Sequence, residues 1–447
     1  MAPTDPALDS VMAKILAASD LTAQKTLLND LPEHVFTAKA FTSEDPLDAI
    51  SPAENSLAYL YFLLYRCKAS HGFHPALMEK LWAFVSTCDG AQIRLASDKA
   101  MSFAEALVKM ASESQQPIIA IRPLATFIQR IQSNAGQLTM IHPLLAKTCL
   151  LAQSFKDIIP ILDNDITDVD PSQTSIDYRD ILLYNYYGGM IYAYLKRFER
   201  AIDFFRLAVS APADVTSAIQ IEAHKKYVLT SLLHLGKVPP LPKYTAQLVL
   251  KALKMHSAAY IDFAGAYEKK SNGAIKSELE KIKPQLIRDK NFGLAKQCME
   301  ALHRRNIQDL TRTYLTLSIE NIASAIGLGS DPAGQQYVEG IIVQMIESGD
   351  IFARISHEHA GGMVSFLDDP NQHNNTATMD TISAQIQSAT EITAKLTAMD
   401  QKISTMPEFF SKGRHGPMPD FGGYPMDESD YGMQMGYENY VDEESFV

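Results

Sequence analysis

A chain of 447 residues, 46% of them apolar, is long enough for roughly two or three domains with sizeable cores. Its net charge of -12 excludes gripping a nucleic-acid backbone through bulk positive charge. Cys67, Cys88, Cys149 and Cys298 stand far apart with no Cys-x-x-Cys pair, which removes the usual zinc and redox signatures and fits a reducing compartment.

Met1 to Asp20 shows no basic start followed by an apolar block, so no secretory leader is expected. No apolar run approaches the roughly 20 residues of a membrane span, so no membrane partner is expected. Residues 1–50 carry no clear pattern. From there helical periodicity dominates. Leu57, Leu60, Tyr61 and Leu64 recur three and four apart, one face of a helix. Similar stretches follow at about 75–88, 93–112, 117–133 and 137–153, broken by short turns carrying Gly or Pro. Helices of this length with short turns predict antiparallel pairs stacked side by side.

One hairpin discloses the repeat class. Gly189, Tyr192, Ala201, Phe205 and Ala208 fall at the spacing of the tetratricopeptide pattern, with Pro212 near its end. Small Gly189 and Ala201 would let two helices approach, and Tyr192 and Phe205 would fill the space between them. Neighbouring units match poorly, so the repeats are degenerate. Stacked hairpins of this kind present an extended surface for other proteins.

Past Lys290 the pattern changes. Asn291 to Tyr314 is helical, and Leu315-Thr316-Leu317-Ser318 then leads into a helix, Ile319 to Ile326. A turn, Gly327 to Asp331, precedes a second helix, Pro332 to Ser348, with Pro at its start and Gly349 at its end. Ile351 to Ile355 and Met363 to Phe366 read as a hairpin. Strand, helix, turn, helix, hairpin is the order of a winged helix. From Met379 to Ile403 the apolar positions Ile382, Ile386, Ala389, Ile392, Leu396, Met399 and Ile403 make a narrow seam. The tail beyond Pro407, rich in Gly, Pro, Met, Tyr and acids, lacks periodicity and is expected to be disordered.

Chemical motifs are few. The second helix of the winged helix holds Glu339 and Glu347, and no Lys or Arg occurs between Arg312 and Arg354, which argues against specific nucleic-acid binding. His357-Glu358-His359 with Ser365 and Asp368 is reminiscent of the His-x-His, Ser, Asp ligand set of zinc isopeptidases, but its spacing is two residues short. Cys67, His71 and His74 lack a fourth ligand. Gly327-Leu328-Gly329 has no Gly-Lys-Ser/Thr and reads as a turn. His142, His224 and His303 sit in helices and read as packed or solvated. Lys225-Lys226 reads as a solvated pair. No catalytic, cofactor-binding or metal residue is expected.

Helical repeats running into an acidic winged helix and a seam helix resemble the PCI family, whose members build the proteasome lid, the COP-nine (COP9) signalosome and translation initiation factor three. Tyr186-Tyr187-Gly188-Gly189-Met190-Ile191, Glu222-Ala223-His224-Lys225-Lys226-Tyr227, Leu241-Pro242-Lys243-Tyr244, Asn306-Ile307-Gln308 with Leu310-Thr311, Leu315-Thr316-Leu317-Ser318, Gly362-Met363-Val364 with Phe366, and Ala398-Met399-Asp400 look like its signalosome branch, with the proteasome lid as the alternative. The loop Ser356 to Gly361 is longer than usual for the family.

The resemblance implies an all-α fold: tetratricopeptide-like helical repeats over 51–195, then a PCI domain over 196–370, divided into a helical bundle (196–314) and a winged helix (315–370). A C-terminal bundle helix (376–405) and an acidic tail (406–447) follow. It implies a non-catalytic scaffold in the complex that removes the ubiquitin-like protein Nedd-eight from cullins, found in nucleus and cytoplasm. Its partners would be other signalosome subunits, and cullin-RING ligases indirectly. Winged-helix sheets join edge to edge in this family, which points to Met363, Val364, Ser365 and Phe366 as an inter-subunit sheet edge. Its C-terminal helices gather in a bundle, which points to Ile382, Ile386, Ile392, Leu396, Met399 and Ile403 as the bundle seam.

Overall fold

The computed structural model describes residues 20–37, 45–70, 74–169, 176–270, 272–329, 331–357, 362–368 and 376–407, with isolated positions 13, 15 and 72. The chain divides into two units, Met1–Leu367 and Asp368–Val447.

The first unit begins with α1 (Leu21–Asp30), α2 (Glu33–Thr37) and α3 (Pro46–Ala49), ahead of α4 (Ser56–Ala69). These early helices belong to the repeat body, so the expected boundary at residue 50 falls inside a packed core. Phe36 is fully buried, with ring centroids 5.1 Å from Phe62 and 4.8 Å from Tyr65. Asp45 caps α3 and lies 2.9 Å from the Arg66 guanidinium and 2.7 Å from the Lys80 ammonium. Burial opposes charge on Asp45, but Lys80 and Arg66 overcome it and hold the carboxyl below its ordinary 3.8. From Leu57 to Leu64 helix α4 is apolar and buried on every side: Tyr59, Phe62 and Leu63 are as covered as the Leu57, Leu60, Tyr61 and Leu64 stripe.

Further helices follow: α5 (Pro75–Thr87), α6 (Gly90–Leu95), α7 (Ser97–Glu113), α8 (Ile118–Ile131), α9 (Ile141–Ala152) and α10 (Ile159–Leu162). Their interior is aromatic. Phe103 meets Phe84 at 5.8 Å and Phe127 at 5.4 Å, both edge to face.

The hairpin of α11 (Tyr178–Tyr194) and α12 (Phe198–Ser210) packs closely. Its glycines explain why. A Cβ on Gly189 would lie 2.6 Å from the Phe205 ring, and one on Gly188 would lie 2.6 Å from the Phe204 ring. The tetratricopeptide spacing thus identified one of two such contacts. Next come α13 (Ala218–Leu235), opened by a Ser217–Gln220 capping box and closed by Gly236 at φ 76°, then α14 (Gln247–His256), α15 (Ala258–Glu268), α16 (Asn272–Arg288) and α17 (Phe292–Thr311).

The winged helix consists of β1 (Thr316–Ser318), α18 (Ile319–Ala325), α19 (Pro332–Glu347), β2 (Ala353–Ser356) and β3 (Met363–Phe366). Three cores run along the unit: Ile15 to Leu253, Val228 to Leu302, and Ile307 to Phe366. Neither expected boundary coincides with a break between them. A division at 195/196 cuts the α11–α12 hairpin. The first core passes to the second within α13, whose Tyr227 belongs to one and Val228 to the other. The winged-helix core reaches back to Ile307 of α17, across 314/315.

The second unit contributes α20 (Thr376–Ser404). The acidic tail from residue 408 onward, expected to be disordered, lies outside the described residues.

Candidate functional site

The sheet order is β1-β3-β2, with β3 antiparallel to both neighbours. Ser365 faces Thr316 on one side and Arg354 on the other; Val364 faces Leu317 and Ile355. This corrects the expected sheet edge. Met363, Val364, Ser365 and Phe366 form the central strand, and their backbone groups are taken up within the sheet. The hairpin places β3 last in sequence, but the β1 strand some 45 residues earlier closes on its far side and covers it. Among the described residues the open edges belong to β1 and β2. Large apolar side chains stand beside them: Leu315 ahead of β1 is 82% exposed and Phe352 ahead of β2 39%. Unpaired strand edges of this kind template pairing with another chain.

Helix α19 packs on the sheet through Val338, Ile341, Ile342 and Met345. Its Glu339 reaches the end of β2, where its carboxylate lies 3.2 Å from His357. Tyr337 and Val343 face solvent, and the helix carries no base for a phosphate.

Only parts of the two metal motifs fall among the described residues. His357 pairs with Glu339, Ser365 is in the middle strand, and Glu358 and His359 lie outside the described residues. Among the described residues no group of three potential ligands comes together. Cys67 is buried, which pushes its thiol up to about 12, while His74 sits at the start of α5; His71 lies outside the described residues. Gly327 and Gly329 adopt φ of 71° and 79°, the left-handed turn conformation that favours glycine. His142 is buried, accepts from the Thr139 amide at 3.0 Å, and is pushed down to about 4 by loss of water. Burial likewise pushes His224 down to about 4.

Lys225 and Lys226 require a correction: they are structural, not a solvated pair. The Lys225 ammonium is buried between Glu222 at 2.6 Å and Asp289 at 2.9 Å. Asp289 also accepts from the Tyr260 hydroxyl at 2.9 Å, and Asn291 joins Lys226 to Tyr260 at 2.7 and 3.1 Å. This network ties α13 to the turn after α16. A sequence pattern of two adjacent lysines gives no sign of it, because Asp289 and Asn291 are more than sixty residues away.

On α20 the seam stands open. Ile382 is 45% exposed, Ile386 63%, Ile392 54%, Leu396 61%, Met399 41% and Ile403 51%. Residues three and four apart share one helix face, and with exposed Ala389 bridging Ile386 and Ile392 these form one continuous apolar stripe.

Stacked helical hairpins ending in a winged helix that lacks a basic reading helix define a helical-repeat scaffold of the PCI class. The profile of COP9 signalosome complex subunit 3 N-terminal helical repeats matches residues 24–249, and the PCI domain profile matches 279–367. The chain is 33% identical over 429 residues to COP9 signalosome complex subunit 3 of Arabidopsis thaliana, covering 93% of this chain and 96% of that protein. It is 30% identical over 426 residues to COP9 signalosome complex subunit 3 of Drosophila melanogaster, covering 91% and 94%. The chain therefore belongs to the COP9 signalosome complex subunit 3 family. The proteasome-lid alternative finds no support in these matches.

Proposed function

We propose that the chain is a non-catalytic scaffold of a COP9 signalosome, joined to other subunits through the outer edges of its three-stranded sheet and the apolar stripe of α20. In this reading the complex removes Nedd-eight from cullins with a catalytic centre in another subunit. The chain touches cullin-RING ligases only indirectly, needs no metal or cofactor, and resides in nucleus and cytoplasm.

The observation that carries the reading is the exposure of the stripe Ile382, Ile386, Ile392, Leu396, Met399 and Ile403. Burying each such side chain contributes on the order of 1.5–3 kcal/mol, so a stripe of this length left in water calls for a partner helix. Open β1 and β2 edges supply a second means of joining.

The test is the double change Ile392→Asp and Leu396→Asp in the full chain. The expected result is an unchanged melting temperature, because both positions are exposed in the chain alone, together with loss of the other signalosome subunits on co-purification. Two carboxylates buried between helices would be unpaired. Normal assembly of the double variant would refute the bundle role. The purified single chain should leave a Nedd-eight–cullin conjugate intact; cleavage by it would refute the scaffold role.

A further inference from the structure

Between Glu222 and Asp262 the chain carries no acidic residue for 39 positions, yet holds six lysines. In a chain of net charge -12 this is a local reversal of sign. Two of the six, Lys225 and Lys226, are consumed by the internal network around Asp289 and Asn291. The other four, Lys237, Lys243, Lys251 and Lys254, are exposed, and among the described residues none is ion-paired with a carboxylate. Asp262 and Glu268, the acids of the adjacent α15, do not come within ion-pair distance of them.

The lysines share their surface with apolar side chains. Helix α14 buries Val249 and Leu253 on its inner face. Its outer face carries Leu248, 50% exposed, and Met255, 72% exposed, seven residues and two turns apart. Lys251 lies between them on that face, and Lys254 flanks it. Tyr244, 68% exposed in the lead-in to the helix with its hydroxyl 3.4 Å from the Ser210 hydroxyl of α12, adds a further exposed ring ahead of the row, with Lys243 beside it.

We propose that the outer face of α14 and its lead-in, with Tyr244, Leu248 and Met255 exposed and Lys243, Lys251 and Lys254 among them, dock an acidic amphipathic segment of another protein. Charge complementarity selects the occupant: ammonium groups without internal partners recruit carboxylates, and the aliphatic row between them takes the partner's apolar side chains. A nucleic acid would use the lysines but leave Leu248 and Met255 unused, and the chain's overall charge would repel it. This surface is built from other residues than the sheet edges and α20, so it does not depend on the subunit reading above.

The experiment compares the full chain alone with the same chain purified with whatever it assembles with in its own cells. Amine acetylation measures the reactivity of each lysine, and a carbodiimide forms zero-length links between lysines and carboxylates. The expected result is protection of Lys251 and Lys254 in the assembly, and links from them to Asp or Glu of another protein within a segment that also carries apolar residues. Lys251→Glu with Lys254→Glu should lower recovery of that linked protein about tenfold while leaving the melting temperature unchanged. Leu248→Ser with Met255→Ser should lower it too, which a purely electrostatic contact would not show. Equal reactivity in the free and assembled chain, protection abolished by nuclease, or recovery of the chain without a linked partner would each overturn the proposal.

Discussion

The Lys225 ammonium lies 2.9 Å from the Asp289 carboxylate, and the two residues, 64 positions apart, are both about nine-tenths buried. Burial opposes charge on each, and pairing overcomes it. Hydrogen bonds from Lys225 and Tyr260 hold Asp289 below its ordinary 3.8, and the Asp289 and Glu222 carboxylates hold Lys225 above its ordinary 10.5. Asp289 thus contributes stability above 3.8 that is lost as pH falls through its lower folded value; Lys225 contributes stability below 10.5 that is lost as pH rises through its higher folded value. At neutral pH both terms are present. Asp289→Asn should cost about 2 kcal/mol, since Lys225 would keep only Glu222, and denaturant midpoints of variant and parent measure it. Equal midpoints would show that the network holds no net stability.

Gly189 faces Phe205 so closely that an added methyl must displace a fully buried ring. Gly189→Ala should therefore destabilise by roughly 1–3 kcal/mol despite alanine's better helix propensity. Gly265→Ala, in α15 where nothing lies within 4 Å of the new Cβ, is the control and should be neutral or stabilising. Thermal unfolding of both variants decides; a stabilised Gly189→Ala would contradict the close approach.

The sheet order sets the pattern of amide exchange. In the free chain the amides of Met363 to Phe366 should exchange most slowly, because β3 is paired on both sides. Assembly should then slow an outer strand, Thr316–Ser318 or Ala353–Ser356, and leave β3 as it was. Hydrogen-exchange mass spectrometry on the chain and its complex reads this directly. Fast exchange of β3 that slows only on assembly would restore it as an edge.

His142 and His224 are held neutral by burial, pushed down to about 4 from an ordinary 6.5. Their folded values are depressed, so the unfolded chain binds protons first. Stability is full above 6.5 and falls as pH drops from 6.5 toward about 4. Each should cost roughly 2 kcal/mol between neutral pH and about pH 5. Urea midpoints across that range should therefore fall, and His142→Gln should flatten the slope. An unchanged slope in the variant would remove His142 from the account.

Helix type and chain order were legible in the sequence because they depend on local periodicity and on turn residues. The winged helix was placed to within two or three residues at each element, helped by Pro332 at the helix start and Gly349 at its end. The apolar stripe of α20 was legible for the same reason: a seam is a pattern within one helix. Gly189 was legible through its spacing to Phe205, while Gly188, with the same role against Phe204, had no pattern to announce it.

What the sequence alone determined, then, is what neighbours in the chain decide: helical hairpins, an acidic winged helix, and a narrow seam. Tertiary structure alone decided which strand is covered, where one core passes to the next, and which charges are internal. The strand last in sequence became the middle of the sheet because β1 closes on it from far upstream. Lys225 and Lys226 became structural because Asp289 and Asn291 meet them across the fold. Long-range pairing leaves no mark on local hydrophobic period, since the energy of an ion pair or a strand pair depends on distance in space and not on distance along the chain.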